Sequence, residues 1–418
     1  MQARLLGFTF SLCCVVERYA TEVKVSLNNI NECVQIDLPE IVNTVKNQAL
    51  NELVKLIKKG QEQRTLQFCG PKYSRDHPFK RAGSYSKTII TSIGSITFKV
   101  QRIMNRKNST VTSPILEQLD LKRRKYSREV RMKLADFASK MSYQDASIEF
   151  QEATGIHVPK RTIHSFVQEI APQLHEANCK ANQTNQLGIV QGDSTQVRAL
   201  IGKEMNNVHI LLSNSGKLLH LNVNEDWPKT TAEGLISDNE PGLTNAVKSR
   251  WLQLCILHAL KYLLFTLWGE RMSKDDRDQV NASVKQTLFT LVNSTKKHLI
   301  DKDMQALKDR IEQTHQELYA MATQLEQRGY PKAASFITRN ARFMVTFADL
   351  ALDGIKIPYT NNSMERLMGE VSKRCKGHWR HWSTVGLRNI LALVLTRYTD
   401  ENFYQQFKNA YSHKTPFH

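Results

Sequence analysis

The sequence predicts an α/β protein whose strand-rich segment is interrupted by an all-helical insertion and preceded by a helical and β-hairpin region. Three observations predict it. Short apolar runs rich in Val, Ile and Leu recur from about residue 186 to 258, which is strand patterning. Beyond 258 the pattern turns to long stretches at helical spacing with no strand signal. Upstream of 186, one β-rich stretch sits among helical ones. These shifts divide the chain into a helical segment at 1–70, a hairpin region at 71–115, a helix-turn-helix-like region at 116–180, a strand-rich part at 185–258, the helical insertion at 259–352 and a closing part at 353–418.

Each element has its own signal. In 38–60, Ile41, Val45, Leu50, Leu53, Val54 and Ile57 share a helix face, closed by basic residues and Gly60. Residues 85–103 read as a hairpin with Gly94 at its turn. Residues 122–133, "KRRKYSREVRMK", hold seven basic residues in twelve. A helix ending near Lys140, a second from about Ser142 to Thr154, a turn at Gly155 and a third starting near Pro159 follow, an order that fits a helix-turn-helix.

In the strand-rich part, "LGIVQGD", "NVHILLSN" (207–214), "GKLLHLNVN" (216–224), "GLISD" (234–238) and "LQLCILH" (252–258) read as five strands, with Gly216 turning a hairpin between the second and third. The insertion shows two helical patterns. One is marked by Val280, Val284, Leu288 and Leu291, the other by Met304, Leu307, Ile311, Leu318, Met321 and Leu325, stopped at Gly329.

Fifty-eight Lys and Arg against 40 Asp and Glu give a formal charge of +18, which favours an anionic partner such as nucleic acid. Lys122, Arg123, Arg124 and Lys125, then Lys160 and Arg161 at the start of the third helix, are candidate DNA contacts. So are Lys373, Arg374, Trp379, Arg380 and Trp382 in "KRCKGHWRHW", where Arg and Lys suit phosphates and Trp can stack on a base. Seven scattered cysteines without framework spacing point to a reducing, intracellular setting. No apolar run reaches the ~20 residues of a membrane span. The stretch "LLGFTFSLCCVV" (5–16) lacks an A-x-A-like cleavage site and reads as a buried segment or an extension.

Three acids stand out. Asp193 and Asp238 each end a predicted strand, and Glu365 falls in the first turn or two of a helix begun after Pro358 and the capping residues Asn361 or Asn362. Alone, each has an ordinary explanation as a turn, cap or dipole partner. Together, three carboxylates suit Mg²⁺ or Mn²⁺, and two such ions can act on a phosphodiester. Glu370 lies about 140° around the helix from Glu365 and is the weaker candidate. Cys255 and His258 have C-x-x-H spacing but no matching second pair for zinc, so they are read as support for the site or as core.

The set "GDST", "SDNEPGL", "CILH" and "NNSMERLMGEVSKR" resembles the DDE transposases of the Mutator-like group of bacterial and archaeal insertion sequences, in its transposase-like, uncharacterised branch. Asp238 lies 45 residues after Asp193, Cys255 17 after Asp238, and Glu365 127 after Asp238. The resemblance implies a ribonuclease H-like mixed sheet formed by 185–258 and 353–418, with the helical insertion between the second Asp and the Glu. It implies that Asp193, Asp238 and Glu365 hold two Mg²⁺ or Mn²⁺ ions and catalyse strand cleavage and transfer. Double-stranded DNA, as terminal inverted repeats and target, is the implied partner of a homo-oligomer assembled on DNA, in a prokaryotic, nucleoid-associated setting. A catalytically inactive DNA-binding derivative and a metal nuclease without strand transfer are the rival expectations. Only about ten residues separate the third strand from "GLISD", so the crossover there is expected to be very short.

Overall fold

The computed structural model describes residues 9–16, 19–26, 38–71, 76–182, 187–200, 204–377 and 381–413. The chain forms two compact units, residues 1–170 with 405–418, and residues 171–404.

In the first unit, β1 (Thr9–Val16) and β2 (Tyr19–Ser26) pair as an antiparallel ribbon. The apolar stretch at 5–16 is therefore a strand over its described residues, its alternate Thr, Ser and Cys suiting a pleat better than a helix. Helix α1 (Leu38–Cys69) runs past Gly60, the stop that the sequence suggests. Its apolar face continues through Thr65 to Cys69, both buried, so tertiary packing overrides the weak breaker.

β3 (Phe79–Thr91) and β4 (Gly94–Asn105) form the expected hairpin, with Gly94 at a φ of 152° just after the turn. A two-residue strand β5 (Val111–Thr112) adds to β4. Alternate residues Ile96, Phe98 and Val100 bury one face of β4 against Ile57 of α1 and against Ile115 and Leu116 of α2 (Pro114–Gln118).

Helices α3 (Arg128–Lys140), α4 (Tyr143–Thr154) and α5 (Lys160–Ala181) follow the helix-turn-helix pattern of the sequence. Ser127 and Ser142 cap α3 and α4 through their hydroxyls, and Gly155 closes α4 in the left-handed region at φ 73°. Part of the basic run serves folding. Arg131 is 1% exposed and donates to Asp120 and Glu169, and Tyr411 donates to Glu169 at 2.8 Å.

The second unit is built on a mixed sheet of β6 (Leu187–Arg198), β7 (Met205–Ser213), β8 (Leu218–Val223), β9 (Thr230–Ser237) and β10 (Val247–Leu254). Its order is β10-β9-β6-β7-β8. β6, β7 and β8 pair antiparallel, while β9 and β10 run parallel to β6. Residues 224–229 link β8 to β9 without a helix, the short crossover that the spacing requires. α6 (Pro241–Ala246) joins β9 to β10 and buries Leu243 against the sheet with Val190, Leu211 and Leu235.

β10 ends at Leu254, so Cys255 and His258 do not lie on a strand. They begin α7 (Ile256–Gly269), because Ile256, Ala259, Leu260, Leu263 and Leu267 recur at helical spacing and are all buried. α8 (Lys274–Asp301), α9 (Met304–Gln327) and α10 (Pro331–Leu352) complete the insertion; α10 is additional to the two patterns read from sequence. The four helices share a core that includes Leu263, Leu288, Leu318, Ile337 and Met344. α10 is tied to β10 through Gln253, whose amide oxygen accepts from Phe347 N–H at 2.7 Å. α11 (Asn362–Cys375), α12 (Thr384–Thr399) and α13 (Glu401–His413) follow. Among the described residues, no helix is long and apolar enough to cross a membrane.

Candidate functional site

Asp193 does not end its strand: β6 continues to Arg198, paired with β7 throughout. What ends near it is the parallel pairing with β9, whose last partners are Gln191 and Ile236. Continuing that register by two residues brings Asp193 opposite Asp238, which directly follows β9. Two acids thus stand side by side where the parallel pair opens.

Glu365 is delivered by α11, and the chain before that helix is fastened to the sheet. Tyr359 accepts from Ile256 N–H at 3.1 Å, and Asn361 N–H donates to Cys255 Sγ at 3.3 Å. The Asn361 amide donates to Gly192 O at 3.4 Å, and Ser363 donates to Gln191. Gly192 and Gln191 immediately precede Asp193, so the first turn of α11 is anchored beside it.

Ligand atoms of Asp193, His258 and Glu365 lie within 4.8 Å of one another. His258 Nε2 is 2.9 Å from Glu365 Oε1. Asp238 stands outside that group. Its Oδ2 accepts from the Tyr262 hydroxyl at 2.8 Å, and its Oδ1 from Glu240 N–H at 3.2 Å. Asp193 Oδ1 accepts from Ser194 N–H at 2.7 Å.

The electrostatics follow from burial and crowding. Burial, then repulsion from Asp238, pushes the Asp193 carboxyl up to about 7, against the Ser194 N–H and His258. The adjacent Cys255 thiol, then Asp193 and Glu365, hold His258 up at about 9 although burial opposes it. Burial works to raise the Cys255 thiol, but His258 and the Asn361 N–H together bring it below its ordinary value. Tyr262 is raised by burial and then by its bond to Asp238.

This donor set fits a hard divalent cation. Asp193, Asp238 and Glu365 offer carboxylate oxygens, and the repulsion at the half-buried Asp193 is what such an ion would relieve. His258 holds Glu365 from the side, a role the C-x-x-H spacing alone does not specify. Sequence reasoning passed over Tyr262; its signal was the i+4 relation to His258 on the face of α7 that reaches Asp238.

The proposed DNA contacts have different surroundings. Arg123, Lys125, Lys160 and Arg161 are exposed. Lys122 pairs with Glu117 at 2.8 Å, and Arg124 pairs with Glu169. Lys373 pairs with Glu370 at 2.7 Å. Arg374 is 8% exposed with its guanidinium 5.6 Å from the Trp382 ring centroid, and Trp382 donates to Cys375 O. Trp379 and Arg380 lie outside the described residues. Lys376, in the same basic and aromatic run, donates to Thr195 at 2.5 Å, two residues beyond Asp193.

No curated protein matches the chain. Residues 21–209 match the sequence model of a family described as an uncharacterised protein family, UPF0236, a stretch that contains Asp193 and stops before Asp238, His258 and Glu365.

Proposed function

We propose that this protein is a divalent-metal-dependent DNA transposase that cleaves DNA at the ends of a mobile element and joins them to a target. The observation that carries the reading is the grouping of Asp193 with Glu365, on a helix fastened to the same strand, with Asp238 following the neighbouring parallel strand two residues past its last pair with β6. The sheet order, three antiparallel strands followed by two parallel to the first, supports a ribonuclease H-like core, and α7 to α10 fall between the second acid and the third.

Asp193, Asp238 and Glu365 would hold Mg²⁺ or Mn²⁺, two ions in the full site. Such ions supply charge stabilisation at a phosphodiester and an attacking hydroxyl of lowered pKa. The chain's own residues fix the carboxylates: His258 orients Glu365, Tyr262 orients Asp238, and the Ser194 N–H orients Asp193. Hydrolysis at the element end would leave a 3′-hydroxyl, and its attack on target DNA is a transesterification that exchanges one phosphodiester for another. The exposed Arg123, Lys125, Lys160 and Arg161 suit the phosphates of double-stranded DNA, and two element ends call for a homo-oligomer assembled on DNA in a prokaryotic nucleoid.

The test uses DNA carrying the inverted repeats that flank the gene. Asp193→Ala or Glu365→Ala abolishes Mg²⁺-dependent cleavage and leaves binding intact. Undiminished cleavage by either variant overturns the assignment. Binding without cleavage by the unaltered protein identifies an inactive derivative, and cleavage without joining identifies a nuclease.

A further inference from the structure

Helix α7 leads away from the acids with an aromatic row on its outer face. His258, in the site, is followed at i+4 by Tyr262, at i+7 by Phe265 and at i+10 by Trp268. The opposite face, Ile256, Ala259, Leu260, Leu263 and Leu267, is buried in the helical core. Tyr262, Phe265 and Trp268 are 39%, 56% and 68% exposed, increasing with distance from the site. The six residues from Tyr262 to Trp268 rise about 9 Å, enough for roughly three bases at about 3.4 Å each.

Cations border this row. Lys261 Nζ lies 6.0 Å from the Phe265 ring centroid. Arg271 and Arg277 line a recess beside Trp268, and Lys332 and Arg339 line a second one with Thr266 and Phe336. None of these five cations has an ion-pair partner among the described residues. Two acids near them in sequence are already engaged. Glu270 accepts from the N–H groups of Lys332 and Ala333, at the start of α10, and Asp276 pairs with Arg328. The loop of Asp238 also touches α10, where Asn239 donates to Asn340, the residue after Arg339.

Exposed rings in file, unpaired cations beside them and an acid cluster at one end match a single-stranded nucleic acid, whose bases stack while its phosphates meet the cations. We infer that the outer face of α7 is a stacking track for about three unpaired nucleotides of the DNA end held at the acids, so that the substrate is a duplex opened beside the scissile phosphate. This inference rests on the proposed DNA-processing role of those acids.

The experiment compares binding of the full-length protein, in EDTA, to a blunt duplex and to the same duplex with a three-nucleotide single-stranded tail on either strand, read by fluorescence anisotropy. The unaltered protein is expected to bind one tailed duplex about tenfold or more tighter than the blunt one. The double variant F265A/W268A loses that preference and keeps its affinity for the blunt duplex, whereas Trp268→Phe keeps most of it. Both replaced side chains are mostly exposed, and circular dichroism checks the fold. Equal affinity of the unaltered protein for all duplexes overturns the inference. So does a double variant that keeps the preference but changes the sedimenting species, which makes the row an interface between copies. Because EDTA removes any metal chemistry, absence of a tail preference in the unaltered protein and survival of cleavage in Asp193→Ala are separate failures.

Discussion

Asp193, Asp238, His258 and Glu365 were visible in the sequence as residue types in an order, but their division of labour was not. Glu365 meets His258 at 2.9 Å while Asp238 meets Tyr262, and neither pairing follows from spacing alone, since each joins segments brought together only by packing. A second residue-scale feature is His220 on β8, whose imidazole is held down at about 4 by burial and then by the neighbouring His175 and His209. A histidine with a depressed folded pKa stabilises the fold fully above its unfolded value of about 6.5. As pH falls below that value, protons bind the unfolded chain first and the stability is lost progressively towards pH 4. Urea unfolding should therefore show stability falling by about 1–2 kcal/mol between pH 7 and pH 5 from this group. His220→Leu should flatten that part of the profile; an unchanged slope would refute the assignment to His220.

At the scale of elements, strand existence was legible and strand extent was not. "GLISD" marked only the apolar end of β9, which begins at Thr230, because the outer half of a strand in a mixed sheet carries polar residues that give no apolar run. The "LQLCILH" run (252–258) reads as a strand throughout because a short apolar run cannot distinguish the two periods; the ten residues after His258 decide for α7. Close packing within the sheet gives a sharp test. Gly234 pairs with Trp251 of β10, and a Cβ on Gly234 would lie 2.0 Å from the indole. Gly234→Ala must displace that ring, at a cost of about 1–3 kcal/mol, and is expected to lower Tm by several degrees in calorimetry. An unchanged Tm would mean that the indole has room to move. The same substitution loosens β9 just before Asp238, so the proposed metal-dependent cleavage should fall with it.

For the whole molecule, the excess of 58 basic over 40 acidic side chains is a statement about partners, not about fold. Several of the basic groups are spent inside the protein, as with Arg131 and Arg374, so the basic surface open to an anionic partner is smaller than the raw count suggests. If six or more phosphates are contacted, affinity for a duplex should drop by about 10³ or more between 50 and 200 mM salt, measured by anisotropy. A nearly flat salt dependence would remove duplex DNA as the partner. The sequence by itself determined the α/β class, the helical stretches on either side of the strand-rich segment and the order of the three acids, because periodicity, caps and charge are properties of the local chain. Only the tertiary structure decided that Asp193 stands opposite Asp238, that Asn361 and Ser363 pin α11 to β6, and that His258 meets Glu365. Those contacts join residues more than a hundred positions apart, or depend on strand register, and both are set by burying the shared core.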